Sequence, residues 1–340
     1  MDPDQLKAGL AAFLARSLGA RSVEVTNLRQ LTGGASREIW SLDARIEQED
    51  GQALTRPLVL RRDPHAGPAG SMDRSLEYRL LKAAYAEGVP VPALVAEGDD
   101  SLGTPFFLME RVDGETIPRR LLRDDVYAKA RQVMTGQLGA ILARIHRIPI
   151  EEHGLEALPG PPPGRPPAEE ELRRFEQVYR AIAPEPHPAF ELAFRWLRQH
   201  LPTSSERTVV HGDYRMGNVI FGPEGVRAVL DWELAHIGDP MEDLGWICVR
   251  SWRFGNDHLP VGGIGTREEF YHAYEGAGGF PVDTARVRFW EVFGNLRWGI
   301  ICISQARTYL AGLSPSVELA SIGRRTAETE WELLNLMEGT

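Results

Sequence analysis

A chain of 340 residues, 43% hydrophobic and 25% charged, exceeds the usual size of a single core and has the composition of a folded protein rather than a disordered one. Its formal net charge of −10 argues against broad, sequence-independent nucleic-acid binding, which needs clustered Lys and Arg. Cys248 and Cys302 are the only cysteines, too few for a disulfide framework or a paired-cysteine metal site, and they fit a reducing cytoplasm.

The N-terminal stretch, broken by Asp4, Lys7 and Arg16, lacks the uninterrupted apolar region of a signal peptide, and no run is long enough to span a bilayer. No membrane partner is expected. Asp2 as N-cap, Pro3 in the first turn, an apolar face of Leu6, Leu10, Phe13, Leu14 and Leu18, and Gly19 as stop predict an opening helix. SVEVTNLRQL, REIWSLDARI and RPLVLRR follow as a three-strand meander separated by TGGAS and EDGQ. A helix over 75–88, a proline-rich entry to a strand, and a strand at PFFLMERV complete a β-rich first part. Beyond residue 112 the pattern turns helical, over 124–148, 168–182, 188–201, 241–253, 266–276 and two further helices from 283 onward. The proline-rich stretch 156–170 reads as an exposed connector. Two parts, 1–112 and 113–340, are expected.

The helical part contains a β-island at 208–232 whose loops carry the chemistry. Asp213 and Asn218 have four residues between them, and Asp231 follows a predicted hairpin built from NVIF and GVRAVLDW. Phosphoryl transfer needs one carboxylate to orient and deprotonate a hydroxyl, and a second carboxylate with an amide oxygen to hold magnesium against the phosphates. Asp213, then Asn218 with Asp231, supply that set in order. His211 heads the loop in a structural role, and His146 on its apolar helix face reads as a packed core histidine.

HGDYRMGNVIF resembles the catalytic loop of the aminoglycoside phosphotransferase and choline kinase superfamily, whose D-x-x-x-x-N spacing protein kinases share. VLDWE resembles the metal-binding strand end, and GDPMEDLGW the next block of that superfamily. The resemblance implies an α+β, bilobal protein-kinase-like fold, with a small antiparallel β-rich N-lobe and a larger, mostly helical C-lobe carrying a β-hairpin catalytic island. It implies ATP and Mg2+, and it gives Asp239 and Asp243 the task of bracing the catalytic loop. LTGGASREIW would lay Gly33, Gly34 and Ser36 over the ATP phosphates. Arg61 or its neighbour Arg62 takes the place of the phosphate-binding lysine, with Glu77 as its helix partner. The backbone of Glu110 and Val112 would meet adenine.

VLRR, HGDYRMGN, LDWELAHIGDP and NLRWGIICISQA carry a closer likeness to phosphotransferase-like domains fused to some acyl-CoA dehydrogenases. That likeness implies a hydroxyacyl thioester or hydroxy acid as acceptor; an aminoglycoside or other small alcohol is the alternative. Arg250, Arg253, Arg297 and Trp298 are the candidate acceptor pocket, the rival reading being a tryptophan core whose arginines pair with Glu242 and Glu291. A nucleotide-binding module without turnover is the second class of reading, favoured by arginine at the lysine position. A protein kinase is disfavoured, since no activation segment long enough to dock a peptide lies between Asp231 and Asp243.

Overall fold

The computed structural model describes residues 2–31, 38–63, 72–183, 185–204 and 206–338. The chain divides into two compact units, one of Met1–Gly114 with Pro149–Leu158 and Arg227–Glu233, the other of Glu115–Ile148, Pro159–Val226 and Leu234–Thr340.

In the first unit, helix α1 (Pro3–Leu18) begins where the Asp2 side chain accepts the N–H groups of Asp4 and Gln5, and it ends at Gly19 in the left-handed region, φ 60°. Strands β1 (Ser22–Gln30), β2 (Glu38–Glu47), β3 (Ala53–Arg62), β4 (Leu94–Gly98) and β5 (Phe106–Glu110) form one antiparallel sheet in the order β1-β2-β3-β5-β4. Leu6, Leu10, Phe13 and Leu14 of α1 share a core with Leu42, Leu58, Leu60, Phe106 and Leu108 of the sheet. Because side chains alternate along a strand, Leu58, Leu60 and Arg62 face that core while Val59 and Arg61 face the other way. Helix α2 (Arg74–Ala86) buries Glu77 and Leu80 and starts under the side chain of Asp73.

The second unit comprises α3 (Pro118–Arg123), α4 (Ala128–His146), α5 (Pro167–Ile182), α6 (Pro188–Gln199), β6 (Thr208–Val210), β7 (Val219–Gly222), β8 (Gly225–Val229, within which the division falls), β9 (His236–Gly238), α7 (Met241–Trp246), α8 (Arg267–Gly276), α9 (Thr284–Leu310), α10 (Val317–Gly323) and α11 (Thr326–Glu338). Helix α9 is buried over most of its length, so its apolar residues do not confine themselves to one stripe. Gly245 of α7 and Gly139 of α4 permit close approach to α9 and α8: an added Cβ would lie 2.7 Å from Trp290 backbone carbon and 2.6 Å from Phe270 carbonyl oxygen, respectively.

Three expectations need correction. The helix drawn over 241–253 stops at Trp246: the N–H groups of Cys248 and Val249 bond carbonyls three residues back, those of Gly245 and Trp246, and the chain continues as a 3-10 turn, Arg250–Trp252, with the Cys248 carbonyl taken by the Arg253 guanidinium at 2.7 Å. The two helices from 283 onward are three: Gly312 turns left-handed, φ 70°, ahead of Pro315 after α9, and a second break at Arg324 and Arg325 divides α10 from α11. Strand β9 was not foreseen; its three residues pair with β6, Thr208 opposite Gly238 and Val210 opposite His236.

Candidate active site

Strand β6 runs into the loop His211–Asn218, and two buried groups hold that loop from beneath. Gly212 adopts φ 76°, where an added Cβ would lie 2.4 Å from the Leu234 carbonyl oxygen, so both the conformation and the space call for glycine. The Asp243 carboxylate accepts the N–H of His211 at 2.7 Å and of Gly212 at 2.9 Å. Nε2 of His146 lies 3.2 Å from the same carboxylate, and its Nδ1 lies 2.8 Å from the Tyr274 hydroxyl. Burial pushes the Asp243 carboxyl up, but His146 and the loop donors outweigh it and hold the group below its ordinary range. Asp239 accepts the Met241 N–H at 2.9 Å and the Arg286 guanidinium at 2.6 Å, fixing the start of α7. His211 turns its ring inward, with Nδ1 accepting the Asp213 N–H at 3.2 Å.

Three donors then converge on the Asp213 carboxylate. Its Oδ1 accepts from Arg215 Nε and Trp246 Nε1, each at 2.9 Å, and its Oδ2 accepts from Asn218 Nδ2 at 2.6 Å. Asn218 Nδ2 also donates to the Asp213 carbonyl at 2.9 Å. With its nitrogen committed to two acceptors, the carboxamide has only one sensible orientation. Its Oδ1 meets no donor among the described residues, which leaves it as a candidate metal ligand.

In the first unit, Arg61 Nε lies 3.1 Å from Glu77 Oε1, and Glu77 is fully buried. Arg61 Nη2 lies 3.5 Å from Asp231 Oδ1 and 3.8 Å from Glu233 Oε2. Glu77 also takes Arg74, which pairs in turn with Asp63. Arg62, on the other face of β3, is spent on Glu38 at 2.6 Å and the Leu102 carbonyl at 3.2 Å. The β-strand period therefore decides which arginine meets the helix carboxylate. Asp231 holds φ 66°, a conformation that a non-glycine residue adopts at a cost and that concentrates at functional sites.

Gly33, Gly34 and Ser36 lie outside the described residues. The Glu110 N–H is taken by the Ala93 carbonyl at 2.8 Å, and among the described residues no acceptor meets the Val112 N–H. The candidate acceptor arginines are not brought together as expected. Arg253 is buried and donates to Glu291 at 2.9 Å and to the Cys248 carbonyl. Arg297 is buried against Glu242 at 3.1 Å and donates to the Gly212 carbonyl at 2.9 Å. Neither presents a guanidinium to an acceptor. Arg250 pairs with Asp257 at 2.6 Å and lines a cavity of about 610 Å³ with Arg119, Arg325, Ser251, Asn295 and Glu332. Trp298 packs against the cluster Trp246, Val249 and Trp252. Arg215 lies over the Trp252 ring, 4.8 Å from its centroid.

Sequence reading missed Arg215, Trp246, His146 and Arg74 as members of these networks. Arg215 stands inside the HGDYRMGN motif and Trp246 closes GDPMEDLGW, so position was available as a signal; their hydrogen bonds depend on tertiary placement and were not.

A family model described as the phosphotransferase enzyme family matches residues 27–290. Acyl-CoA dehydrogenase family member 10 of Mus musculus is 29% identical over 343 residues, covering 95% of this chain and 30% of its own length. Acyl-CoA dehydrogenase family member 11 of Pongo abelii is 34% identical over 251 residues, covering 72% of this chain and 30% of its own. The chain thus spans under a third of these relatives. The crystal structure of a Ralstonia eutropha protein provisionally named an aminoglycoside phosphotransferase superposes with a TM-score of 0.75 at 26% identity, over 96% of this chain and 97% of that one.

Proposed function

The chain belongs to the phosphotransferase enzyme family, and from that premise we propose that it is an ATP-dependent small-molecule kinase that phosphorylates the hydroxyl of an anionic acceptor, a hydroxyacyl-CoA or a hydroxy acid, with Asp213 as general base. The convergence of Arg215, Trp246 and Asn218 on one carboxylate carries the reading. A carboxylate fixed by three donors keeps lone-pair capacity on Oδ2 to orient a hydroxyl and take its proton as the oxygen attacks the γ-phosphorus. Asn218 Oδ1 and the Asp231 carboxylate are hard oxygen donors of the kind that would hold magnesium, which would supply positive charge to offset that of the ATP phosphates. Arg61, with Glu77 behind it, is assigned to an ATP phosphate, and the Val112 N–H and the Glu110 carbonyl to adenine.

For the acceptor, the cavity is lined by three arginines, Arg119, Arg250 and Arg325, and three carboxylates, Asp257, Glu328 and Glu332, so its suitability for an anion rests on Arg119. Asp257 and Glu328 already pair with Arg250 and Arg325, while Arg119 has no ion pair among the described residues. A polycationic aminoglycoside needs the opposite, an excess of free carboxylates.

The test is ADP release from Mg-ATP across hydroxyacyl-CoAs, hydroxy acids, aminoglycosides and small alcohols. Asp213→Asn is expected to lower kcat by about two to four orders of magnitude while the protein stays folded and binds ATP. Arg119→Glu combined with Arg250→Glu is expected to raise KM for the anionic acceptor only. ATP binding without turnover across the whole panel would instead favour the nucleotide-binding module that arginine at position 61 suggests.

A further inference from the structure

Behind the catalytic loop lies a buried row of charges whose members come from four separate elements. Arg297 of α9 donates Nη2 to the Gly212 carbonyl at 2.9 Å and Nη1 to Glu242 Oε1 at 3.1 Å, and its guanidinium lies 4.6 Å from the centroid of the Trp246 ring. Glu242 of α7 turns its other oxygen to His236 Nε2 at 3.1 Å. His236 of β9 places Nδ1 3.0 Å from the Leu234 carbonyl. Glu171 of α5, paired with Arg174, lies close to both His236 and Glu242. His236, Glu242 and Arg297 are all nine-tenths or more buried.

Two consequences follow from hydrogen-bond chemistry alone. Both ring nitrogens of His236 face oxygens that can only accept, so one proton cannot satisfy both; the doubly protonated ring can. That cation then stands beside Glu242, whose second oxygen is committed to Arg297. Arg297 in turn touches two features that adjoin Asp213, the Gly212 peptide that precedes it by one residue and the Trp246 ring whose N–H binds its carboxylate.

We propose that His236, Glu242 and Arg297 are positioning residues, a buried bracket that fixes the Gly212 peptide and the Trp246 ring and through them the orientation of the Asp213 carboxylate. This rests on the phosphotransfer reading of Asp213. The ligand atoms of Glu171, His236 and Glu242 lie within 4.8 Å of one another, a spacing a metal ion also accepts. A guanidinium already meets each carboxylate, Arg174 on Glu171 and Arg297 on Glu242, so the two pairs are neutral; an imidazolium adds one positive charge, whereas a divalent ion beside a neutral ring would add two. The groups facing His236 agree: burial alone would depress its pKa, but Glu242 and Glu171 raise it to about 9.

Slow hydrolysis of Mg-ATP, with water as acceptor, reads turnover without an identified substrate. Arg297→Lys keeps the charge but loses the fork that grips Gly212 and Glu242 together. Its kcat is expected to fall about tenfold with KM for ATP within about twofold, the pattern of an interaction felt in the transition state and not in nucleotide binding. In the wild type kcat is expected to decline as pH rises through about 9, and His236→Gln, with a lower plateau, is expected to lose that decline. Folded, ATP-binding variants of both positions with wild-type kcat and an unchanged pH profile would overturn the bracket. If Arg297→Lys does not fold, the decision passes to nitrogen-resolved NMR of the wild-type His236 ring: titration near pH 9 supports the proposal, and titration at or below the ordinary value of 6.5 overturns it. A stoichiometric metal in the purified protein, removed by chelation with loss of turnover, would overturn it as well. Wild-type protein inert toward Mg-ATP would sink the phosphotransfer reading instead, while the NMR titration still reports on the buried ring.

Discussion

Glu77 carries more of the first unit's charge balance than its single negative charge suggests. Fully buried, it faces Arg61 at 3.1 Å through one oxygen and Arg74 through the other. Removing one partner from such a group is worse than never having had the pair, because the remaining charges stay desolvated. Glu77→Gln is therefore expected to lower unfolding free energy by about 3–5 kcal/mol, measured by urea denaturation; a loss no larger than that of an exposed ion pair would mean the guanidiniums find water instead. Residue chemistry was legible where it depended on spacing: Asp213 and Asn218 stand apart by the interval a metal-assisted transfer needs, and Arg61 shares a strand face with Val59. It was illegible where it depended on what lies opposite. From sequence, Arg253 and Arg297 could equally line an acceptor pocket or pair with Glu291 and Glu242; the pairing is what the structure holds, and two backbone carbonyls join it.

At the scale of elements, helix contacts hinge on glycines whose role is invisible in a hydrophobic pattern. Gly245 lets α7 lie against α9, where a Cβ would come within 2.7 Å of the Trp290 and Glu291 backbone. Since backbone cannot step aside as a flexible side chain can, Gly245→Ala is expected to destabilise by about 1–3 kcal/mol. Gly276, at the end of α8, has nothing within 4 Å of an added Cβ. Gly276→Ala is expected to stabilise by about 0.5–1 kcal/mol through the unfolded chain's lost freedom. Urea denaturation of both variants checks the contrast, and a shared sign would refute the packing account. Local signals wrote both ends of α1 into the sequence, through Asp2, Pro3 and Gly19, and the structure shows a capping box of Thr266 and Glu269 at the start of α8. The stretch after Trp246 was misread as helix because its apolar residues have helical spacing. The break comes where the Cys248 and Val249 N–H groups bond carbonyls only three residues back, and where Arg253, held by Glu291 from a distant helix, takes the Cys248 carbonyl.

For the molecule as a whole, the buried titrating groups bound the pH range in which the fold is most stable. His236 is raised in the folded chain from 6.5 to about 9, because Glu242 and Glu171 outweigh the burial that would depress it. A group with a raised folded value binds its proton more tightly folded than unfolded, so its contribution is complete below the unfolded value and disappears as pH rises through the folded one. The shift corresponds to a contribution on the order of 3 kcal/mol that is present at pH 6 and gone above pH 9. Asp243 works in the opposite direction. Its folded value is lowered, so its contribution is present above the ordinary carboxylate range and is lost as acid protonates it against His146 and the loop N–H groups. The melting temperature is accordingly expected to hold near neutral pH, to fall as pH rises from 7 toward 10, and to fall again in acid. His236→Gln should flatten the alkaline fall and leave the acid limb in place, since Asp243 meets His146 and the catalytic loop rather than β9. Melting curves of wild type and variant across that range decide the matter: an alkaline fall of equal slope in both would show that His236 is not the group responsible.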